Sequence, residues 1–229
     1  MYKYETHMHS YPVSACADVS AKSQVMAYKK RGYTGIILTD HFLNGYTSCP
    51  RHGTWESRIG CFLAGYNKAK AAGDSCGLDV FLGWEYSCFD GTDFLTYGLD
   101  ADFLYSNPKM DKLDIEEYSK LIRGNGGYLA QAHPYRRDYW VSNKAPVDPK
   151  LIDGVEVYNA TMRHEINRLA LDFAKRFDLA PQAGSDCHYS TPDFPSGIIL
   201  SEKAKTVHDI IKALKAKTVL LLTPNDFKL

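Results

Sequence analysis

Five short stretches of this chain each close an apolar run with side chains that bind hard divalent ions. They are Thr6-His7-Met8-His9, Thr39-Asp40-His41, Gly83-Trp84-Glu85, Gln131-Ala132-His133-Pro134 and Gly184-Ser185-Asp186-Cys187-His188, and they hold five of the eight histidines. Ile36-Ile37-Leu38 precedes Asp40-His41, Val80-Phe81-Leu82 precedes Glu85, and Tyr128-Leu129-Ala130 precedes His133. Runs of this length and composition read as buried strands. Ligands delivered by successive strand ends converge on one mouth of a barrel or sheet, where α/β proteins keep their chemistry.

The spacings agree with that placement. Residues two apart in a strand point to the same face, so His7 with His9, and Asp186 with His188, can each face one centre. Adjacent Asp40 and His41 fit best where a strand turns into a loop, with His41 as ligand and Asp40 orienting a neighbour. Glu5 shares a face with His7 and is a further supporting candidate. Asn159 fits a role in fixing a loop, and Glu156 a structural one inside the barrel.

Charge narrows the partners. The 27 basic and 27 acidic residues cancel, and there is no long run of Lys or Arg. A dedicated nucleic-acid surface is therefore not implied, and a small substrate is the simpler expectation. The opening Met1-Tyr2-Lys3-Tyr4 runs straight into the first strand, and no apolar stretch is long enough to span a bilayer. No membrane partner and a cytoplasmic location are expected. Six cysteines without CxxC spacing predict reduced thiols rather than a zinc ribbon, with Cys187 facing away from its ligand neighbours. A chain of 229 residues can bury one large core, so a single domain over 1–229 is expected.

Strands and helices alternate along the sequence. Strands are predicted at 4–9, 34–38, 79–84, 93–98, 127–132, 154–158 and 179–184, with a tail adding strands at 197–200 and 218–222. Helices are predicted near 20–30, 54–72, 111–124, 162–176 and 206–215, the first capped by Ser20 with Val25, Met26 and Tyr28 inward. Repeated βα units with right-handed crossovers predict a parallel barrel or a strongly curved sheet.

Taken together, His-x-His near the N-terminus, Thr-Asp-His, a lone Glu, Ala-His-Pro, Gly-x-Glu-Val-x-Asn and Ser-Asp-x-His resemble the PHP family, named for polymerase and histidinol phosphatase. The resemblance runs from Glu5 to about Leu200. It implies an α/β fold of the distorted seven-stranded (βα) barrel type, TIM-like, with two or three divalent ions at the strand ends. On it, the first ion would be held by His7, His9, Glu85 and Asp186. The second would share Glu85 as a bridge and add His133, with Asp93 standing where many members have a histidine. The third would take His41 and His188, and the loop after His-x-His, which in the family supplies Asp or His, here offers Ser14 at the usual spacing, Cys16 and Asp18. Glu85, Asp186 and His188 would form the catalytic set.

The imidazole and carboxylate mixture suits Mn, Fe or Zn better than Ca. Two such ions about 3.5 Å apart can share a hydroxide and polarise a phosphoryl oxygen. Arg136 and Arg137 follow His133-Pro134, and Arg163 follows Asn159, all in loops on the metal face, where a guanidinium fork matches phosphate oxygens. His52, in a glycine-flanked loop, and His164, opening a helix behind Asn159, are substrate-contact candidates. The resulting expectation is a metal-dependent phosphoesterase acting on a small-molecule phosphomonoester. The alternatives are a phosphodiesterase or exonuclease on short nucleic acid, or a metal-bearing regulatory module without turnover.

Overall fold

In the computed structural model, which describes residues 1–142, 145–189, 196–225 and 227, strands and helices alternate through most of the chain. β1 (Tyr2–Glu5), α1 (Ala21–Lys30), β2 (Gly35–Leu38), α2 (Trp55–Cys76) and β3 (Asp79–Ser87) make a parallel three-stranded unit. β4 (Asp93–Tyr97) follows, antiparallel to its neighbours on both sides, and leads into the short α3 (Ala101–Ser106) and α4 (Ile115–Gly124). β5 (Tyr128–Gln131), β6 (Gly154–Asn159), α5 (His164–Arg176) and β7 (Ala180–Gly184) form a second parallel unit. β8 (Gly197–Leu200), α6 (Val207–Lys215) and β9 (Leu220–Leu222) complete a nine-stranded sheet ordered β7-β6-β5-β4-β3-β2-β1-β8-β9.

The sheet curls into a barrel, and its seam lies where the ligands are. β1 itself pairs antiparallel with β8, Tyr4 opposite Ile198. Past Glu5 the chain leaves β8 and bonds to the end of β7 instead. The Thr6 hydroxyl donates to the Ala183 carbonyl (2.7 Å), the Asp186 amide to the His7 carbonyl (2.8 Å) and the His9 amide to the Cys187 carbonyl (2.9 Å). The segment carrying His7 and His9 is thereby stitched to the one carrying Asp186 and His188.

The barrel-like α/β architecture is as expected, and the nine strands among the described residues are the seven anticipated for the barrel and the two of the tail; β4, anticipated in a parallel barrel, instead runs antiparallel to its neighbours, and the tail strands β8 and β9 are antiparallel as well. For β4 the reason is the connection. Only residues 88–92 join it to β3, too few for a crossover helix, so the chain must turn back as a hairpin. The reversal has a chemical consequence: the N-terminal end of β4, with Asp93, lies at the mouth, paired with Ser87.

Helix ends follow local chemistry. Ser20 caps α1 by accepting the Ser23 amide, Thr54 caps α2 through the Ser57 amide, and Asp114 with Glu117 makes a reciprocal capping box on α4. α2 runs past the expected residue 72 to Cys76, where Gly77 in the left-handed region (φ 73°) stops it. Val25 and Tyr28 are buried as expected; Met26 is 47 % exposed, because it lies off the helix face turned to the barrel. The core behind the mouth is aromatic. Phe42 packs edge-on against Phe62, Tyr86 stacks on Tyr118, and the Trp84 indole donates to the Tyr118 hydroxyl (2.6 Å). Cys187 faces away from the ligands, as expected, into the cluster of Val25, Tyr28 and Ile36. The expectation of six reduced thiols fails at one pair: Cys49 and Cys61 form a disulfide with Cα atoms 5.8 Å apart, because the loop after β2 folds back on the start of α2. Among the described residues, no helix is long and apolar enough to cross a membrane.

Candidate metal centre

His7 and His9 project into the barrel mouth with their Nε2 atoms 3.2 Å apart. His7 Nε2 lies 3.3 Å from Glu85 Oε1 and 3.4 Å from Asp186 Oδ1; His9 Nε2 lies 3.4 Å from Glu85 Oε2 and 3.3 Å from the same Asp186 oxygen. The outer nitrogens are tied back. His7 Nδ1 sits 2.9 Å from Glu156 Oε1, an acceptor, so it carries a proton. His9 Nδ1 is 3.1 Å from Ser14 Oγ, whose own hydrogen goes to Asp40 Oδ1 (2.8 Å), so this nitrogen is also the donor. In the neutral form of either ring, Nε2 is then a lone pair aimed at another lone pair and two carboxylates. Electron-rich atoms gathered this way, in residues under 5 % exposed, are balanced by protons or by a cation at their centre. The donor set fits a divalent metal with imidazole and carboxylate ligands.

Two further groupings adjoin the first. Glu85, Asp93 and His133 converge, with His133 Nε2 3.2 Å from Glu85 Oε1 and 3.8 Å from Asp93 Oδ2. His9, His41 and His188 form the other, their rings at 4.2 to 5.9 Å. His188 Nδ1 donates to the Asp186 carbonyl (2.8 Å), which leaves Nε2 as its ligand atom. His41 Nδ1 is buried 2.8 Å from Glu85 Oε2, yet the two do not meet in hydrogen-bond geometry. An orphaned nitrogen beside a carboxylate oxygen is an arrangement that two ligands of one ion would share. Glu85 thus touches all three groupings.

The surrounding shell is built to hold these atoms. Glu156 spans two ligands, accepting from His7 Nδ1 through one oxygen and from the His133 amide (2.9 Å) through the other. Asn159 donates to Glu156 (2.9 Å) and to Asp186 Oδ2 (3.3 Å), while its own oxygen is fixed by Thr161. Asp40 does not point inward; it accepts from Ser10 and Ser14 and so orients the serine that orients His9. Glu5 accepts the amides of Thr6, His7 and Ser185, clamping the barrel seam from below. Gly184 is required by close approach: a Cβ there would sit 2.5 Å from His7 Cβ and 2.6 Å from Glu156 Oε1. His133 (φ 25°) and Asp186 (φ 53°) both adopt left-handed backbone, which turns the chain sharply off its strand and brings the side chain into the mouth.

Charge ties the cluster to protons. Burial works against the His7 imidazolium, but Glu156, Asp186 and Glu85 together hold it well above the ordinary histidine value. His41 is held well above it too, again against burial, chiefly by Glu85. His9 is driven well below by burial and by His41 and His188, so it stays neutral. Protons and divalent cations therefore compete for the inward atoms of His7 and His41. Metal binding at pH 7 is expected to release protons, and apparent affinity to rise as pH rises toward those raised values. Calorimetry in buffers of different ionisation enthalpy checks this; metal uptake with no proton release, or tighter binding at lower pH, would contradict it.

The other sequence candidates separate. Arg136 reaches the cluster, its Nη1 3.4 Å from His133 Nε2, with its Nε on Asp138 (2.5 Å) and its guanidinium over the Trp140 ring at 5.3 Å. Arg137 and Arg163 are exposed, Arg163 serving as the N-cap residue of α5, and neither is among the contacts of the cluster. His52 is exposed in the loop before α2, and His164 packs its ring against Phe227 (5.7 Å). Ser14, weighed as a ligand, spends its hydroxyl on Asp40, His9 and the His41 amide. The bridging role of Glu156 was missed. Its alternation in a strand marked it as inward-facing, but nothing local links it to residues 7 and 133.

No family model and no curated protein matches this sequence. Solved structures do. A two-domain protein of Bacteroides vulgatus containing a predicted PHP-like metal-dependent phosphoesterase superposes with a TM-score of 0.71 at 18 % identity, over 96 % of this chain and 64 % of that one. The chain has the PHP fold. An amidohydrolase from Chromobacterium violaceum with bound sulfate matches at TM-score 0.59 and 16 % identity, over 98 % of this chain and 100 % of that one. The lesion-specific endonuclease PfuEndoQ of Pyrococcus furiosus matches at 0.55 and 13 %, over 96 % and 57 %. The chain thus spans less than two thirds of the length of the Bacteroides protein and of the Pyrococcus endonuclease.

Proposed function

We propose that this chain is a metal-dependent hydrolase of small phosphomonoesters. The observation that carries the reading is the convergence of His7 Nε2, His9 Nε2, Glu85 and Asp186 at 3.2 to 3.4 Å with both outer imidazole nitrogens tied back. His7, His9, Glu85 and Asp186 would hold one ion, Glu85, Asp93 and His133 a second, and His41 with His188 a third. When bound, such ions supply Lewis acidity toward a phosphoryl group. The protein's own part is to fix the ligands through Glu156, Asn159 and Ser14, and to offer Arg136 to a phosphate oxygen. Asp138 and Trp140 hold that guanidinium from the side and from below, so little rotamer entropy remains to be lost on binding.

A recess lined by Asp93, His133 and Arg136 shares Thr92 with a cavity of about 270 Å³, walled by Ser87, Phe94, Asp111 and Leu113. That volume suits the alcohol part of a small ester, not a polymer. Zero formal net charge also argues against tracking a long polyanion. Rates on sugar, nucleotide and amino-alcohol monophosphates, set against a diester and a short oligonucleotide, test the reading. Monoester hydrolysis with inorganic phosphate as competitive inhibitor is expected, together with at least two divalent ions per chain by elemental analysis. Activity confined to diesters and falling steeply with salt would replace it by a nuclease reading; bound metal with no hydrolysis above a His7→Ala variant would leave a regulatory module. Arg136→Ala is expected to raise KM about tenfold, the roughly 1.5 kcal/mol of one charge-assisted contact. Unchanged KM would mean that the ions alone hold the phosphate.

A further inference from the structure

Cys16 belongs to the loop between His9 and α1, which two contacts fix on opposite sides of the mouth. Ala15 donates its amide to the Tyr46 carbonyl (2.9 Å), in the loop that follows His41. Asp18 donates its amide to the carbonyl of His188 itself (3.0 Å). Ser14 adds a bridge to Thr47 and an acceptor for the His41 amide (3.0 Å). Cys16 is thereby suspended between the segments that carry His41 and His188, with both imidazoles close enough to its thiol to act on it electrostatically. It is a free thiol, separate from the Cys49–Cys61 disulfide.

Other residues of the loop are committed elsewhere. Ser14 is fully buried with its hydroxyl engaged by Asp40 and His9, and a carboxylate at that position would meet the Asp40 oxygen that Ser14 now bonds at 2.8 Å. Asp18 is exposed. That leaves Cys16 as the metal-binding side chain that this loop can offer beside His41 and His188, which His9 and Glu85 approach from other strands.

We infer that the Cys16 thiolate is a ligand of the third divalent ion, completing with His41 and His188 a site that takes zinc or another thiophilic metal in preference to magnesium or manganese. The inference rests on the metal-centre reading above and adds to it a sulfur ligand where the sequence resemblance implies a carboxylate or imidazole. Ligation exchanges the S–H proton for a metal–sulfur bond, the proton leaves to solvent, and no electron is transferred. Soft thiolate with two imidazoles matches the preferences of zinc and cobalt(II), whereas magnesium and manganese favour oxygen. The three ions would then differ in kind, the third being the most selective.

The test is to titrate metal-free protein with cobalt(II), without reductant so that the disulfide is kept, and to repeat it with Cys16→Ser and with Cys88→Ser as a control. The parent and Cys88→Ser are expected to show a near-ultraviolet thiolate-to-cobalt charge-transfer band. Cys16→Ser is expected to lack that band and to bind one ion fewer per chain while keeping the other two, which also shows that it is folded. Metal should likewise protect Cys16 from alkylation in the parent. A band that persists in Cys16→Ser, or parent protein that binds cobalt without any such band, overturns the thiolate ligand and leaves the metal centre standing. Failure of the parent to bind any cobalt overturns both.

Discussion

Glu85→Gln is expected to lose at least one divalent ion per chain and to lower kcat/KM by roughly a thousandfold or more, about 4 kcal/mol of transition-state stabilisation. The reason lies in how this one side chain is shared. Its Oε1 faces His7 (3.3 Å) and His133 (3.2 Å), and its Oε2 faces His9 (3.4 Å) and His41 (2.8 Å). A carboxylate has two anionic oxygens for two cations; an amide has one neutral oxygen and a nitrogen whose hydrogens repel a cation. Against the cost of burial, His41 and His7 hold the Glu85 carboxyl well below the usual carboxylate range, so the charge is present across the working pH range. Metal content and kinetics of the purified variant, with circular dichroism to verify folding, decide the matter. A folded Glu85→Gln variant with full metal content and a rate within tenfold of the parent would remove Glu85 from the bridging position.

Much of this site was legible in the sequence because its ligands are local to strand ends. His7 and His9, or Asp186 and His188, declare themselves by a spacing of two, and the runs before His41 and His133 show where the chain emerges from the core. The seam of the barrel was not legible. Nothing in residues 6–9 or 184–188 says that these segments bond to each other instead of to β8; that follows from three hydrogen bonds across some 180 positions of sequence. The same long-range closure creates the supporting roles of Glu156 and Gly184, whose partners His7 and His133 come from other strands. Short-range chemistry also misled in one place. Ser14 has the family spacing for a ligand, but a hydroxyl close to Asp40 finds a carboxylate to bond, and the loop then presents Cys16. The Cys49–Cys61 pair shows the limit of composition: cysteine count and spacing argued for thiols, and the fold of a loop brought two of them together.

Asp93 gives the second large effect, and its argument depends on the direction of β4. Every other ligand segment reaches the mouth at or beyond the C-terminal part of a strand; Asp93 reaches it from an N-terminus, because β4 runs antiparallel between β3 and β5. Its side chain is 12 % exposed and lies with Glu85 and His133 in one grouping. Burial and the neighbouring Glu85 charge raise its carboxyl to about 6, so two like charges are held together at neutral pH. A divalent ion held by Glu85, Asp93 and His133 would relieve that repulsion. Asp93→Asn is expected to lose the second ion and to slow hydrolysis by a factor on the order of hundreds, the loss of one direct ligand at a two-metal site. Asp93→His, which restores a neutral ligand with a lone pair, should keep much more of both. Elemental analysis with kcat for the two variants side by side makes the comparison. Equal damage from both changes with metal content intact would place Asp93 outside the ligand set and assign its carboxylate to the substrate recess beside Arg136.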